Sequence, residues 1–258
     1  MNGPIRLALH ALTKRFGGVT AVDDVDLEHD AGGVLGLIGP NGAGKTTLFN
    51  MLSGALPPTA GRIELDGRDV TGLRPDQMNR AGVARTFQNL EVFSSLSVLD
   101  NVLVPRERHV RGGAWRALFG LSALDRTEAA QRQLALDILG RLGLAEHADA
   151  NSASLPYGLQ RRVEVARALA SEPRLLLLDE PLAGLSRAES ADLGELLRSV
   201  AAEGVTVLLV EHDVSTVMAV SDRVVVLDHG TLLADGKAED VQADPKVRAA
   251  YLGEEMPT

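Results

Sequence analysis

The chain contains the stretch Val34-Leu35-Gly36-Leu37-Ile38-Gly39-Pro40-Asn41-Gly42-Ala43-Gly44-Lys45-Thr46, in which a short apolar run meets a loop of the pattern Gly-x-x-x-x-Gly-Lys-[Ser/Thr]. The apolar run predicts a buried strand, and residues 47–52 after the loop predict a helix. In such a strand–loop–helix unit, glycines let consecutive backbone N–H groups point inward toward an anion. The stretch therefore predicts a P-loop that binds the phosphates of a nucleotide.

Each polar residue type in this loop has a task that fits its chemistry. Lys45 is expected to reach the β- and γ-phosphates, and Thr46 to offer its hydroxyl to Mg²⁺. The helix that begins here directs the positive end of its dipole at the anion. The predicted nucleotide-binding residues are Gly39, Pro40, Asn41, Gly42, Ala43, Gly44, Lys45, Thr46 and Thr47.

Composition limits the class of protein. The 258 residues, 45% hydrophobic and 24% charged, suit a globular protein of one domain or one domain with a subdomain. A net charge of −9 without a long basic block argues against nucleic acid as the main partner. The lack of cysteine excludes disulfides and thiolate metal sites. No apolar run approaches the roughly 18 residues that a membrane-spanning helix needs, and residues 1–12 do not resemble a signal peptide.

Short apolar runs divide the chain into regions. Residues 5–9, 25–27 and 63–65 predict an antiparallel β layer, with Asp66-Gly67 as a turn. Five uniformly apolar runs predict a mostly parallel sheet: 34–38, 83–87, 175–178, 205–210 and 224–227. Helical patterns occupy 188–200 and 214–220, and from 97 to 170 they replace the strands, as in 129–142 and 161–169. We therefore predict an α/β core (1–93 and 171–240), an inserted helical subdomain (94–170) and a short C-terminal helix and tail (241–258).

The run 175–178 ends in Asp179-Glu180-Pro181. Ligands of open α/β sheets gather outside the carboxyl ends of the strands, which is where this change from apolar to acidic falls. Asp179 is the candidate for orienting the Mg²⁺ shell, and Glu180 for polarising the water that attacks the γ-phosphate. A solvated turn is the alternative, and the P-loop in the same chain favours the functional interpretation.

Two further polar residues follow predicted strands. The Gln88 amide is placed to reach the metal and the attacking water, and the His212 imidazole to bond the γ-phosphate. By position alone, a capping or solvent-facing role explains either residue better. The other five histidines, at positions 10, 29, 109, 147 and 229, show no ligand spacing and are expected at the surface.

These motifs, in this order, resemble the ATP-binding subunit of ABC transporters over almost the whole chain. The resemblance implies that Phe16, in Arg15-Phe16-Gly17-Gly18, stacks on adenine. It implies Mg·ATP as the bound nucleotide, with Thr46, Gln88 and Asp179 at the metal. It also implies catalytic roles for four residues, which are Lys45, Gln88, Glu180 and His212.

The family's signature loop, typically Leu-Ser-Gly-Gly-Gln, falls on Leu155-Pro156-Tyr157-Gly158-Leu159. Pro156 replaces the serine that donates to the γ-phosphate of the partner subunit, and proline has no donor. Tyr157 and Gly158 remain as candidate nucleotide contacts, ahead of a helix predicted over 160–170 whose N-terminus can face a phosphate. Ser186 is a second departure, because most relatives have aspartate there.

These departures make the chain similar to one subgroup of the family. The similarity extends to Gln160-Arg161-Arg162 and to the ending Ala250-Tyr251-Leu252-Gly253-Glu254. The subgroup comprises the larger ATPases of bacterial importers of branched-chain and other hydrophobic amino acids. The ATPase of lipopolysaccharide transport shares the ending but usually keeps the signature serine.

Residues 105–127 carry five arginines with Trp115, Leu118 and Phe119. They either meet the permease or lipid headgroups, or form a solvated loop and short helix.

The resemblance implies an ABC-type ATPase at the cytoplasmic face of the membrane, held there through a permease. It would dimerise head to tail, with itself or with a second ATPase, and drive permease subunits supplied by an extracytoplasmic solute-binding protein. One rival is a soluble ABC ATPase of DNA repair or translation, which usually has coiled-coil insertions or paired cassettes. A P-loop kinase is the other, and it leaves Glu180 and His212 unexplained.

Overall fold

The computed structural model describes residues 4–30, 32–86, 92–106 and 121–251, with side chains from residue 128 onward in the last range. The chain folds into two compact units. One is formed by Met1–Arg85 with Arg174–Thr258, and the other by Thr86–Pro173. In chain order, the second unit is an insertion into the first.

The first unit contains two sheets. In chain order their strands are β1 (Leu7–Phe16), β2 (Val19–His29), β3 (Val34–Ile38), β4 (Ala60–Leu65), β5 (Arg68–Asp69), β6 (Val83–Arg85), β7 (Leu175–Asp179), β8 (Thr206–Val210), β9 (Arg223–Asp228) and β10 (Thr231–Gly236). The antiparallel sheet has the order β2-β1-β4-β5, and the larger sheet has the order β10-β9-β3-β8-β7-β6. In the larger sheet only the β9–β10 pair is antiparallel.

The strand patterns in the sequence have direct physical causes in these sheets. β3, β7 and β8 are buried along their whole length, which is why their residues are uniformly apolar. Asp66 and Gly67, with φ of 51° and 75°, make the tight turn between β4 and β5. The predicted α/β fold, with a mostly parallel sheet and an antiparallel layer, is confirmed.

Nine helices are described. They are α1 (Lys45–Leu52), α2 (Pro75–Arg80), α3 (Val98–Leu103), α4 (Leu121–Arg141), α5 (Tyr157–Leu169), α6 (Arg187–Ala202), α7 (Val214–Val220), α8 (Ala238–Ala243) and α9 (Pro245–Ala250). One core cluster joins both sheets to α1 through side chains such as Leu12, Leu37 and Phe49. A second cluster covers the other face of the parallel sheet with residues of α7, α8 and α9. The P-loop helix therefore starts from a rigid, fully buried base.

The second unit contains α3, α4 and α5. Asn101 on α3 is fully buried, and its amide donates to the carbonyls of Phe93 and Ser97 at 3.1 and 2.9 Å. Buried Arg106 donates to Ala170 O at 2.8 Å and pairs with Glu172 at 2.9 Å. Arg106 is thus a structural residue, although it belongs to the arginine-rich run 105–127. After Arg106, the rest of that run up to residue 127 has no described side chain.

The prediction that His29 lies at the surface is wrong. Its side chain, at the end of β2, is only 1% exposed, and neither ring nitrogen makes a hydrogen bond of ordinary geometry with the described residues. Burial, followed by the nearby charge of Arg223, lowers the pKa of His29, while the backbone of Gly32 and the carboxylates of Asp30 and Asp235 act more weakly in the opposite direction. Within the described residues, no helix has the length and apolar character needed to cross a membrane.

Candidate active site

The P-loop follows β3, and two of its glycines stand where a side chain has no room. A Cβ on Gly39 would lie 2.2 Å from the carbonyl oxygen of Leu227, and one on Gly44 would lie 2.3 Å from that of Ala21. A Cβ on Gly42, in contrast, would meet nothing within 4 Å. The loop is therefore clamped at both ends by neighbouring backbone and open in the middle, which leaves space for a ligand.

The turn between β9 and β10 supports this loop. Gly230 N–H donates to the carbonyl of Ala43 at 3.0 Å, and Asp23 N–H donates to the carbonyl of Gly230 at 2.8 Å. The turn thus ties the P-loop to β2 of the antiparallel sheet. This network fixes the loop backbone before any nucleotide binds.

Lys45 is the first residue of α1, and its side chain is buried. Its Nζ donates to the carbonyl oxygens of Gly39 and Pro40, the latter at 3.0 Å. Thr46 is exposed and Thr47 half-buried. The ammonium therefore lies inside the curve of the loop. When phosphates bind there, it would exchange its hydrogen bonds to the neutral carbonyl oxygens for bonds to the charged phosphate oxygens.

Glu180 follows β7, and His212 follows β8. The distance from Glu180 Oε1 to His212 Nε2 is 2.8 Å. Glu180 adopts a left-handed backbone with φ of 51°, and its N–H donates to Val210 O at 2.9 Å. The structure thus brings together the two residues that the sequence nominated separately for attacking water and γ-phosphate.

Glu211 was missed by sequence reasoning. It is buried, and its Oε1 accepts a hydrogen bond from Leu182 N–H at 2.6 Å, which fixes the loop after Glu180. Asp213 caps α7, and burial raises its pKa, but hydrogen bonds from Thr216 and Ser215 outweigh burial and hold that pKa below its usual value. Glu180, Glu211, His212 and Asp213 line one open cavity of about 480 Å³. The only sequence signal for Glu211 was its place at the end of an apolar strand.

Asp179 is the last residue of β7 and is buried. Its Oδ2 lies 3.1 Å from Arg85 Nη2 at the end of β6. Arg85 was also missed, because no motif pattern contains it. Gln88, another of the three predicted metal contacts, lies outside the described residues.

Phe16 ends β1 with 49% of its surface exposed. Lys14 Nζ lies 5.2 Å from the ring centroid and donates to Pro57 O at 2.7 Å. An exposed aromatic ring next to an anchored cation is suited to stacking on a base.

In the second unit, α5 begins at Tyr157, three residues earlier than predicted, with Pro156 as its N-cap. Tyr157 and Gly158 therefore form the first turn of the helix rather than a loop before it. Tyr157 is exposed, and its ring lies over the guanidinium of Arg161 with a centroid distance of 5.1 Å. Gly158 is buried.

Comparisons with known proteins agree with this geometry. Residues 22–183 match the family model described as ABC transporter, and residues 231–256 match that described as branched-chain amino acid ATP-binding cassette transporter. The high-affinity branched-chain amino acid transport ATP-binding protein BraF of Pseudomonas aeruginosa is 44% identical, and LivG of Escherichia coli K12, with the same description, is 42% identical. Both alignments cover 98% of this chain and 100% of the relative.

Two further comparisons bear on the rivals. The lipopolysaccharide export system ATP-binding protein LptB of Acidithiobacillus ferridurans is 37% identical over 97% of this chain and 98% of that protein. The crystal structure of the ADP conformation of MJ1267, an ATP-binding cassette of an ABC transporter, superposes with a TM-score of 0.82 at 29% identity, covering 98% of this chain and 100% of that one. The chain belongs to the ATP-binding subunits of ABC transporters and is an ATPase of that type.

Proposed function

We propose that this chain hydrolyses ATP to drive the import of branched-chain amino acids through separate permease subunits. The observation that carries the hydrolytic part is the 2.8 Å contact between Glu180 and His212, which follow β7 and β8. In the sheet, β8 lies next to the P-loop strand β3, and β7 is the next strand beyond it. The nature of the solute is supported by the C-terminal match over residues 231–256 and by the descriptions of BraF and LivG.

The residues around the P-loop suit an attack of water on the γ-phosphate. Glu180 accepts a hydrogen bond from the attacking water and takes its proton. His212 contacts Glu180 through Nε2, and its side chain is 61% exposed. The edge of the ring that faces away from Glu180 reaches the γ-phosphate. Lys45 leaves the loop carbonyls and binds the β- and γ-phosphate oxygens, whose charge it compensates.

The donor set fits Mg²⁺, which prefers hydroxyl, carboxylate and phosphate oxygens and keeps several waters. Thr46, Asp179 and Gln88 would hold it. In the part of the chain that is described, no group of three or more His, Cys, Asp or Glu gathers into an all-protein metal site. That suits an ion that shares its shell with the nucleotide. When bound, it neutralises charge on the transferred phosphoryl group.

The working form is a head-to-tail dimer around two nucleotides, formed with a second copy or with another ATPase. Tyr157, Gly158 and the first turn of α5 face the nucleotide of the partner subunit, because backbone N–H groups at a helix N-terminus bind anions. The dimer sits at the cytoplasmic face of the membrane and is held by the permease, which receives solute from an extracytoplasmic binding protein. Lipopolysaccharide export is the less favoured alternative, since LptB is the more distant relative and the C-terminal match names branched-chain amino acids.

The test combines trapping with transport. Glu180→Gln should keep ATP binding, lose hydrolysis and accumulate as an ATP-bound dimer on size-exclusion chromatography, because the amide is isosteric but does not take a proton. The wild-type chain, reconstituted with its permease subunits, should support ATP-dependent leucine uptake into proteoliposomes loaded with ATP, and Glu180→Gln should not. Normal turnover by Glu180→Gln would remove that residue from the mechanism. An ATPase that purifies without permeases and gives no leucine uptake would contradict the transport assignment.

A further inference from the structure

One guanidinium connects the helix after the P-loop with the carboxylate assigned to the metal. Arg85 Nη2 lies 3.1 Å from Asp179 Oδ2, while Nη1 donates to Asn50 Oδ1 at 2.6 Å and to Ser53 Oγ at 3.0 Å. The guanidinium also lies over the ring of Phe49, 4.7 Å from its centroid. The side chain thus spans from the end of β6 to α1 on one side and to β7 on the other.

These contacts are largely shielded from water. The side chains of Arg85 and Asp179 are 18% and 8% exposed. A carboxylate this buried needs a fixed positive partner, since an unpaired buried charge is strongly unfavourable. Because Asn50 and Ser53 hold Nη1, the planar guanidinium directs Nη2 toward Asp179 in one fixed orientation. Asp179 therefore has one oxygen held in a set position relative to α1 and the P-loop.

We propose that Arg85 is a positioning residue for the metal: it orients the Asp179 carboxylate toward the Mg²⁺ ion that arrives with ATP. This inference rests on the proposed metal role of Asp179. Groups that orient metal-binding carboxylates typically contribute about 10-fold to 100-fold to metal affinity.

The experiment measures metal binding rather than turnover. A fluorescent, non-hydrolysable ATP analogue is titrated with Mg²⁺, and Mn²⁺ binding in the presence of the analogue is followed by electron paramagnetic resonance. Arg85→Gln should raise the metal concentration for half-saturation by about 10-fold or more. Binding of the analogue without metal should stay the same, because the P-loop is intact. Arg85→Lys keeps a cation but loses the fork, so it should give an intermediate shift.

The matched control is another arginine, which lies at the opposite end of β7 from Asp179. Arg174 directly precedes β7 and pairs with Asp66, away from the P-loop. Arg174→Gln should leave the metal dependence unchanged. Thermal unfolding by circular dichroism identifies any variant that is not folded, and Arg85→Lys keeps the test valid if Arg85→Gln does not fold.

Asp179→Asn separates this inference from the function on which it rests. If Asp179→Asn weakens metal binding and Arg85→Gln adds nothing in that background, the two residues act through one contact, as proposed. If Asp179→Asn weakens metal binding but Arg85→Gln alone does not, the role of Arg85 is refuted and the proposed function stands. An equal shift in Arg174→Gln and Arg85→Gln would show general loosening of β7 and overturn the inference. If Asp179→Asn has no effect, the metal role of Asp179 fails first.

Discussion

Phe16 shows how a single side chain sets nucleotide preference. Its ring is half exposed and offers a π face but no hydrogen-bonding group to the edge of a base. Stacking of this kind depends on dispersion and π overlap, which every purine provides. We therefore expect the site to discriminate poorly between ATP and GTP.

Phe16→Ala should weaken the binding of ATP and GTP alike, by about 1–3 kcal/mol, as for base stacking in other proteins. Isothermal titration calorimetry with both nucleotides measures the effect. Inorganic tripolyphosphate, which has no base, is the control, and its affinity should not change. Strict selectivity for ATP together with an unchanged affinity in Phe16→Ala would place the base elsewhere.

At the scale of single residues, the sequence predicts residues whose role belongs to a local motif. It does not predict contacts between residues that are far apart in the chain. Lys45 and Asp179 could be predicted as site residues because a glycine-rich loop and an acidic strand end are recognisable from neighbouring residues in the sequence. Arg85 and Glu211 could not. Arg85 meets Asp179 across 94 positions of the chain, and Glu211 meets the Leu182 amide across 29. Nothing near either residue in the sequence reveals its partner.

Glu211→Leu should lower the free energy of unfolding by about 1–3 kcal/mol, because it leaves the buried Leu182 N–H without an acceptor. Glu211→Gln keeps an oxygen at the same place and should cost much less. Urea unfolding of the two variants provides the measurement. Equal losses in both would mean that the charge of Glu211, rather than the bond to Leu182, is what matters.

Among the elements, α5 differs most from its prediction. The sequence suggested a start near residue 160, because Pro156-Tyr157-Gly158 resembles a turn. Proline is acceptable at the N-cap, where no backbone donor is needed, so the helix begins immediately after it. The consequence is that the Gly158 N–H belongs to the unpaired first turn, the part of a helix that binds anions.

Gly158→Asp should abolish ATP hydrolysis that depends on dimerisation, since it places a carboxylate where the partner's γ-phosphate is proposed to bind. Pro156→Ala should be mild, because no side-chain donor is lost. ATPase rate against protein concentration separates these cases. Because Gly158 is buried, ATP binding by the monomer must be shown to survive in Gly158→Asp. Hydrolysis at the wild-type rate by a folded Gly158→Asp would remove the signature role from this turn.

For the whole molecule, uniformly apolar runs predicted the centre of the larger sheet, because the fully buried strands β3, β7 and β8 leave no polar face. His29 shows the limit of that reasoning: this titratable side chain in β2 is buried as completely as Val22 and Val25 of the same strand. Its lowered pKa means that the unfolded chain binds a proton more readily than the folded one. The stability of the whole fold is thereby linked to pH.

The contribution of His29 to the free energy of unfolding should be fully present above the ordinary histidine pKa of about 6.5. As the pH drops below that value, the free energy of unfolding should fall, because the unfolded state takes up the proton first. His29→Leu should flatten this dependence, since it removes the buried titratable group. Urea unfolding between about pH 5 and 8 measures the slope. His229→Gln, at a residue whose side chain is 95% exposed, is the control and should retain the wild-type slope.

The left-handed backbone at Glu180 bears on how such a protein can change over evolutionary time. A residue other than glycine pays about 1 kcal/mol or more to hold this conformation. Glycine and asparagine adopt it more easily, so folding alone favours them at position 180, and the proposed role in turnover accounts for the glutamate. In a lineage that does not need turnover at this site, Glu180 should be replaceable without loss of fold stability. In a related subunit, glycine or asparagine at the matching position would indicate a site that no longer hydrolyses ATP in a protein that still folds stably.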